Sequence, residues 1–583
     1  MTGTVAQLAP LLILAGVALV VAAVVTALLR ATIGKRAETR NRARSIRWRI
    51  RLHLRPGTGY ASAAELLIRW SRTRAVFHGR RARPGLSFRA RLTSPATDYA
   101  VRLGRAQWGR KVYARLEDQV LILAPPRIGK TGILADRILS HPGAVLCTST
   151  RADLFESTAA GRALRGLLAV FNPQGVGGIL STFAWNIVAG CEDPAIAARR
   201  ADSLTGAVGS TGQQAGDMAF WQSKASLALA AFLHAAALIP GATIVDVFGW
   251  CNRHRDEDAA QVLATHPLAS RPLLSTLAEI LRDARYADSV RMTMSKALAW
   301  VAIPSIAAAV TPADGEGFDV ADFIAANGTL YMIATDAENS PIAPLFRAFC
   351  AYVHYEAGMV GSRSPARRLD PPLLMALDEV TQICPVPLPE WLSDSAGKGI
   401  LICAVCHGTG QLESRWGQYG AATIWSTAGT KIMLGGISDS DTLEYVSRLC
   451  GTIELSDGDR YESVRVLPPE VLRQLPDWRA LVLRMNLSPT VVKVRPVWRR
   501  LSRRFGGVLE PSIPLLRAYV SNPLGYQPAS AVAADDVPVI GPAPSAEHAS
   551  AVLADELAAR RLAAAPPPRP GRPPEWVRGG DGD

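Results

Sequence analysis

Apolar and polar positions along the 583-residue chain fall into blocks of different period. The first block is continuous. Leu8 to Leu29 are 22 residues without a charge, "LAPLLILAGVALVVAAVVTALL", which matches the ~20 residues a helix needs to cross the hydrocarbon core. A cleaved signal peptide would want a positive start and a shorter apolar core, so the block reads as a single signal-anchor helix. From residue 120 the rhythm changes. Val120–Leu123 is a short apolar run bounded by a turn, which predicts a buried strand. "KTGILADRILS" follows with helical spacing at Ile133, Leu134, Ile138 and Leu139, and further strand-like runs sit at 143–150 and 166–173. Strand, helix, strand in this order predicts a parallel sheet covered by helices. Roughly 193–310 carries helical patterns alone, among them "FWQSKASLALAAFLHAAALI" and "LLSTLAEILRDA". Strand patterns return at 328–335, 371–380, 399–408, 430–436 and 479–485.

The flanks are weaker in pattern. "SAAELLIRWSRTRAV" predicts a short amphipathic helix, and the stretch from Asp98 to Pro125 predicts strands leading into the core. Beyond about 505, segments such as "AAAPPPRPGRPPEWVRGGDGD" bury too little apolar surface to offset ordering, so a mostly disordered tail is expected. The resulting division is 1–30 membrane anchor, 31–114 basic lead-in, 115–192 first part of an α/β domain, 193–310 all-α domain, 311–505 second part of the α/β domain, and 506–583 tail.

Charge refines this picture. The chain carries +14 overall, but residues 30–111 hold 22 Lys/Arg against 3 Asp/Glu, a net of +19, which leaves −5 for the remainder. Ten of these basic residues lie between Arg30 and Arg55, directly after the apolar block. Their position predicts a single-pass protein of the cell membrane with the N-terminus outside and the main body in the cytoplasm. Juxtamembrane Lys/Arg also attract anionic lipid at ~1 kcal/mol each, and the run extends far enough to serve a nucleic acid or another partner. All eight cysteines fall on the cytoplasmic side, where disulfides are disfavoured. Cys403-Ala-Val-Cys406-His407 matches the haem-attachment signature, but its apolar setting, "GILICAVCHG", reads as a buried strand.

The chemistry begins at "LAPPRIGKT". Phosphate-binding loops read Gly-x-x-x-x-Gly-Lys-Ser/Thr. Here Ala124 takes the first position, followed by Pro125, Pro126, Arg127, Ile128, Gly129, Lys130, Thr131 and Gly132. The donors that converge on phosphate lie at Gly129, Lys130 and Thr131, at a helix N-terminus. Ala124 and the prolines fall at the bend, where a negative φ suffices. Lys130 is placed to reach the β/γ-phosphates of ATP, and Thr131 to ligate Mg²⁺. A second element, "LLMALDEV", ends a strand in acid: Asp378 for the Mg²⁺ shell and Glu379 for the attacking water. The next strand ends "CHGTGQL", with His407 and Gln411 as candidates for sensing the γ-phosphate.

In order and spacing these pieces resemble the type IV coupling proteins of conjugation and type IV secretion. They are "LAPPRIGKT", "TSTRADLFESTAAGR", "FNPQG", "FWQSKASLALAAFLHAA", "LLMALDEV", "VCHGTGQLESRWG" and "WSTAGTKIMLGGISDSDTLEYVSRLCGT", spread over about 115–500. The resemblance implies an α/β, RecA-like P-loop ATPase with a mostly parallel sheet, an inserted all-α domain that meets DNA or relaxosome cargo, a membrane anchor, and a homohexamer. It also implies coupling of ATP hydrolysis to delivery of single-stranded DNA, with its relaxase, to a type IV secretion channel. The family usually has Gln where His407 stands, and many members have two membrane helices where one is found here. A finger reaching in from the neighbouring subunit is implied too, with Lys398, Arg415 and Arg448 as candidates. Other readings are a coupling ATPase for protein cargo, a septal DNA pump, and a membrane receptor that binds nucleotide without hydrolysing it.

Overall fold

The computed structural model describes residues 59–494, apart from 107–108, 127, 207–214, 254–256, 313–316, 336–340 and 458–459. The expected membrane helix, the basic run before residue 59 and the tail lie outside these residues. Among the described residues, no helix is long and apolar enough to cross a membrane.

The chain divides into two compact units. Among the described residues, the first comprises those within 59–142, 215–217 and 358–494, and the second those within 143–206 and 218–357. The strands, in chain order, are β1 (Ala100–Arg105), β2 (Lys111–Arg115), β3 (Val120–Leu123), β4 (Val145–Ser149), β5 (Leu168–Phe171), β6 (Thr329–Ile333), β7 (Leu373–Leu377), β8 (Ile400–Cys406), β9 (Thr430–Leu434), β10 (Thr452–Asp457), β11 (Arg460–Arg465), β12 (Arg479–Arg484) and β13 (Leu487–Lys493).

In the first unit the strand order is β2-β1-β13-β12-β9-β3-β8-β7. Its centre is parallel: β3 lies between β8 and β9, and β7 pairs with β8. β3, β7 and β8 are buried at every position, which is why they read as unbroken apolar runs and not as alternations. The expected parallel sheet is therefore present, and an antiparallel flank of β12, β13, β1 and β2 extends it. The described part of the basic lead-in is folded. Its short helices begin at Ser62, Ser71 and Ser87, each hydroxyl accepting a backbone N–H three residues on, the usual way of satisfying a first-turn donor.

In the second unit β4, β6 and β5 are parallel neighbours. Between β5 and β6 the chain is helical, beginning at Pro194. Asp193 caps that helix by accepting from Ala195 N–H, with proline at the first helical position. The helix Ala215–Ala237 carries the "FWQSKA" segment. Phe171, Phe183, Trp185, Phe318 and Phe349 form a continuous aromatic cluster in this unit.

Candidate nucleotide site

The site is built at one end of the parallel strands of the first unit. β3 delivers the chain to Ala124, which is fully buried, and its N–H donates to the Cys406 carbonyl at 3.1 Å, continuing the pairing with β8. Ala124 is not among the residues with positive φ, so the missing glycine costs the loop nothing at its bend. Gly129 is different. Its φ is +98°, and a Cβ placed on it would meet the Trp478 ring at 2.8 Å, so backbone and packing both demand glycine. A Cβ on Gly436, itself at φ +84°, would meet Ile128 and Pro125. The loop is thus shaped by residues more than 300 positions away. Arg127 lies outside the described residues.

Gly129 is also the N-cap of the helix Lys130–Ser140, and no side chain caps it. The first-turn donors of a helix need partners, and an uncapped N-terminus with αL glycine before it fits a phosphate group. The Lys130 ammonium is bonded to the Glu379 carboxylate and lies 3.6 Å from Asp378 Oδ1. All three side chains are largely buried, at 13, 6 and 9% exposure for Lys130, Asp378 and Glu379, so the cluster is a real concentration of charge in low dielectric. Glu379 sits in the left-handed region at φ +48°. Non-glycine residues seldom adopt it, and such strain collects at functional sites. Asp378 and Thr131 are the residues that would hold Mg²⁺. A single carboxylate and a hydroxyl suit an ion that keeps waters and takes its remaining ligands from phosphate. Among the described residues, no cluster of three or more His, Cys, Asp or Glu forms a separate metal cage.

The structure brings His407 into this group. Its Nδ1 lies 3.0 Å from the Ala124 carbonyl and its Nε2 lies 3.2 Å from Glu379 Oε2. A carbonyl only accepts, so Nδ1 carries the proton. A hydrogen bond across the second contact then needs a proton on either the imidazole or the carboxyl. Gln411 goes elsewhere: its Oε1 accepts the His407 backbone N–H at 3.0 Å, closing the strand-to-helix turn. Cys403 and Cys406 are buried on β8, as the strand reading expected, and burial pushes both thiols up to about 12. Of the finger candidates, Lys398 pairs with Asp394 on its own helix, Arg448 is exposed, and Arg415 is half-buried on the helix Thr409–Thr427. Trp478 joins the site without a signal in the sequence. It has no local motif, and only the fold sets its ring against Gly129.

The chain is similar to known proteins in part of its sequence and in its fold. Residues 372–477 match the family model described as the TraM recognition site of TraD and TraG. The conjugal transfer protein TraG of Agrobacterium fabrum (strain C58) is 25% identical over 238 residues, 37% of this chain and 33% of that protein. A probable conjugal transfer protein TraG of Sinorhizobium fredii is 28% identical over 183 residues, 30% of this chain and 26% of that protein. The bacterial conjugative coupling protein TrwBdeltaN70 superposes with a TM-score of 0.52 at 19% identity, covering 70% of this chain and 90% of that one. The chain is similar to the type IV coupling proteins in sequence and in fold. The match spans about a quarter to a third of the curated relatives' length, and the structural likeness shows an α/β fold with a large, mostly parallel sheet like that of TrwB. TrwB has also been solved with the ATP analogue ADPNP and with ADP and Mg²⁺. These structures superpose with a TM-score of 0.51 at 19% identity, covering 65% of this chain and 86 and 85% of theirs.

The position of His407 gives one expectation. It ties the first loop residue to Glu379, so His407→Ala should lower kcat for nucleotide hydrolysis about 10-fold, the equivalent of one lost hydrogen bond, with KM nearly unchanged. His407→Gln keeps a donor for one of the two contacts and should recover most of the loss. Steady-state kinetics of the two variants decide it.

Proposed function

We propose that this chain is a membrane-anchored ATPase that couples ATP hydrolysis to delivery of single-stranded DNA, with its bound relaxase, into a type IV secretion or conjugation channel. The observation that carries the proposal is the arrangement of Lys130, Asp378 and Glu379 beside an uncapped helix N-terminus led by Gly129. When bound, ATP supplies the phosphoanhydride and Mg²⁺ screens its charge. Lys130 then neutralises the β- and γ-phosphates. Asp378 and Thr131 would hold the metal, and Glu379 would orient and accept a proton from the attacking water. His407 fixes the position of Glu379 relative to the loop, while Gln411 holds the His407 backbone in place. The loop residues Ala124 to Gly132 shape the phosphate cradle.

The likeness to TraG and to the TraM recognition model supports a relaxosome partner for the segment 372–477. Residues 8–29 are assigned as the membrane anchor, with the N-terminus outside and the ATPase part in the cytoplasm, and the working assembly as a homohexamer. The neighbouring subunit supplies a basic finger from Lys398, Arg415 or Arg448.

DNA as cargo is favoured over protein cargo by one feature of the helical region. Phe220, Trp221 and Tyr286 form a partly exposed aromatic cluster, with ring centroids 5.3 Å apart for Phe220–Trp221 and for Trp221–Tyr286. Lys224 lies over Phe220. Aromatic faces beside cations suit unstacked bases, at ~1–3 kcal/mol per stacked base. The double variant Phe220→Ala/Trp221→Ala should therefore weaken single-stranded DNA binding by about 10-fold or more and remove DNA stimulation of ATP hydrolysis, leaving the basal rate in place. Fluorescence anisotropy with an oligothymidine at low salt tests this. Unaltered DNA affinity in the double variant would contradict the assignment, and no DNA binding by the parent chain would favour protein cargo.

A further inference from the structure

The helix that begins at Lys130 has a second feature, well away from the phosphate loop. A cavity of about 270 Å³ in the first unit is lined by residues of β1, β3, the end of β13 and this helix. Its charged lining is Arg102, Arg105, Lys111, Arg137 and Lys493 against a single acid, Asp136. That acid is already engaged, since Arg102 Nη2 donates to both Asp136 oxygens at 2.7 and 2.9 Å. Arg137 is the unusual member. It is only 7% exposed, and its Nε has no hydrogen-bond partner. Besides Asp136, the ionisable group that acts on it is Cys403, a thiol that burial pushes up to about 12. Burial pulls the Arg137 guanidinium down to about 10 and pushes Asp136 up to about 6. A buried cation without a matched acceptor is costly, and cores rarely keep one without a use for it.

The remaining wall is apolar, formed in part by Val120, Ile122 and Ile432. The volume lies near the lower end of small-ligand pockets. A guanidinium prefers planar or tetrahedral oxyanions, and the excess of cations over acids favours a dianion over a single carboxylate. We propose that this cavity is a binding site for a small phosphomonoester, with its phosphate on Arg137 and an apolar body against Val120, Ile122 and Ile432. Arg137 is seven residues beyond Lys130, about 10 Å along the helix axis. The site is therefore separate from the phosphate loop but shares the helix that carries Lys130 and Thr131.

The test is a calorimetric titration of the full chain in detergent with phenyl phosphate, under saturating ADP and Mg²⁺ so that the phosphate loop is occupied. Saturable binding is expected, with inorganic phosphate weaker and phenol silent. Arg137→Met should reduce the affinity at least 10-fold while the melting temperature of the ligand-free protein stays the same or rises. Ile133→Trp, a change at a half-buried lining position, should block binding without touching the charge. Titration of Lys130→Ala without nucleotide should return the parent affinity, which keeps the result independent of the nucleotide reading. The proposal fails if phenyl phosphate does not bind, if inorganic phosphate binds as tightly, if either cavity variant binds like the parent, or if Arg137→Met melts well below the parent, since Arg137 would then be a structural residue.

Discussion

Glu379→Gln is expected to stop multiple-turnover ATP hydrolysis while leaving nucleotide binding intact. The amide keeps the size and shape of the carboxylate, so the left-handed turn at φ +48° and the packing around it are retained. What is lost is the carboxylate that the proposed mechanism assigns to take a proton from water. General acid–base participation of this kind is worth about 10²-fold or more in kcat. The binding side of the prediction follows from Lys130, whose ammonium is held by Glu379 in this structure. With a neutral amide there, Lys130 keeps Asp378 as its counter-charge at 3.6 Å and is held less tightly away from phosphate. Nucleotide affinity should be equal to or tighter than that of the parent. A loss of kcat with no rise in the dissociation constant is the signature of a group that acts in the transition state only. Equilibrium binding of a fluorescent ATP analogue and single-turnover kinetics check the two halves separately.

The second large effect concerns stability. Asp118→Ala is expected to destabilise the first unit by about 3–5 kcal/mol, the cost of breaking a buried ion pair from one side. Asp118 and Arg484 have side chains only 2 and 7% exposed, and Arg484 Nε donates to Asp118 Oδ2 at 2.6 Å. The same oxygen accepts from Thr430 Oγ1 and from Arg115 N–H, each at 3.2 Å. One carboxylate therefore ties β2, β9 and β12 together just before β3. Without it, Arg484 is left buried and charged, with the Trp70 ring 5.8 Å away as its remaining neighbour of note. Asp394→Ala is the control. It breaks the Lys398 pair, whose side chains are 45 and 68% exposed, and should cost less than about 1 kcal/mol. Urea midpoints and slopes for the two variants measure both values.

Much of the nucleotide site could be read from the chain because its parts are local. The strands that carry it are buried on both faces, so Val120–Leu123, Leu373–Leu377 and Ile400–Cys406 stand out as apolar runs, and the chemistry sits within a few residues of their ends. The bend at Ala124 was predictable for the same reason: its φ depends on the local turn. The antiparallel flank was harder to see. β13 contains Pro489, which counts against a strand, and the structure accommodates it beside the register shift between Val482 and Arg484, a place where proline is tolerated. The β10–β11 hairpin is short and polar enough to read as loop, although its strands pair in regular antiparallel register. The separate duties of His407 and Gln411 were not legible at all. His407 directly follows β8 and Gln411 lies in the first turn of the next helix, and only the fold shows that one faces Glu379 while the other accepts the His407 backbone N–H. Trp478 against Gly129 and Gly436 against Ile128 are contacts across hundreds of residues, for which no periodicity or motif gives notice.

The central claim is that the cluster at Lys130, Asp378 and Glu379 drives ATP hydrolysis for DNA transport. The initial rate of ATP hydrolysis by the full chain, with and without single-stranded DNA, tests it most directly. The account predicts a rate that rises with DNA and falls to background in Glu379→Gln. No hydrolysis under either condition, or a rate that Glu379→Gln leaves unchanged, would contradict it.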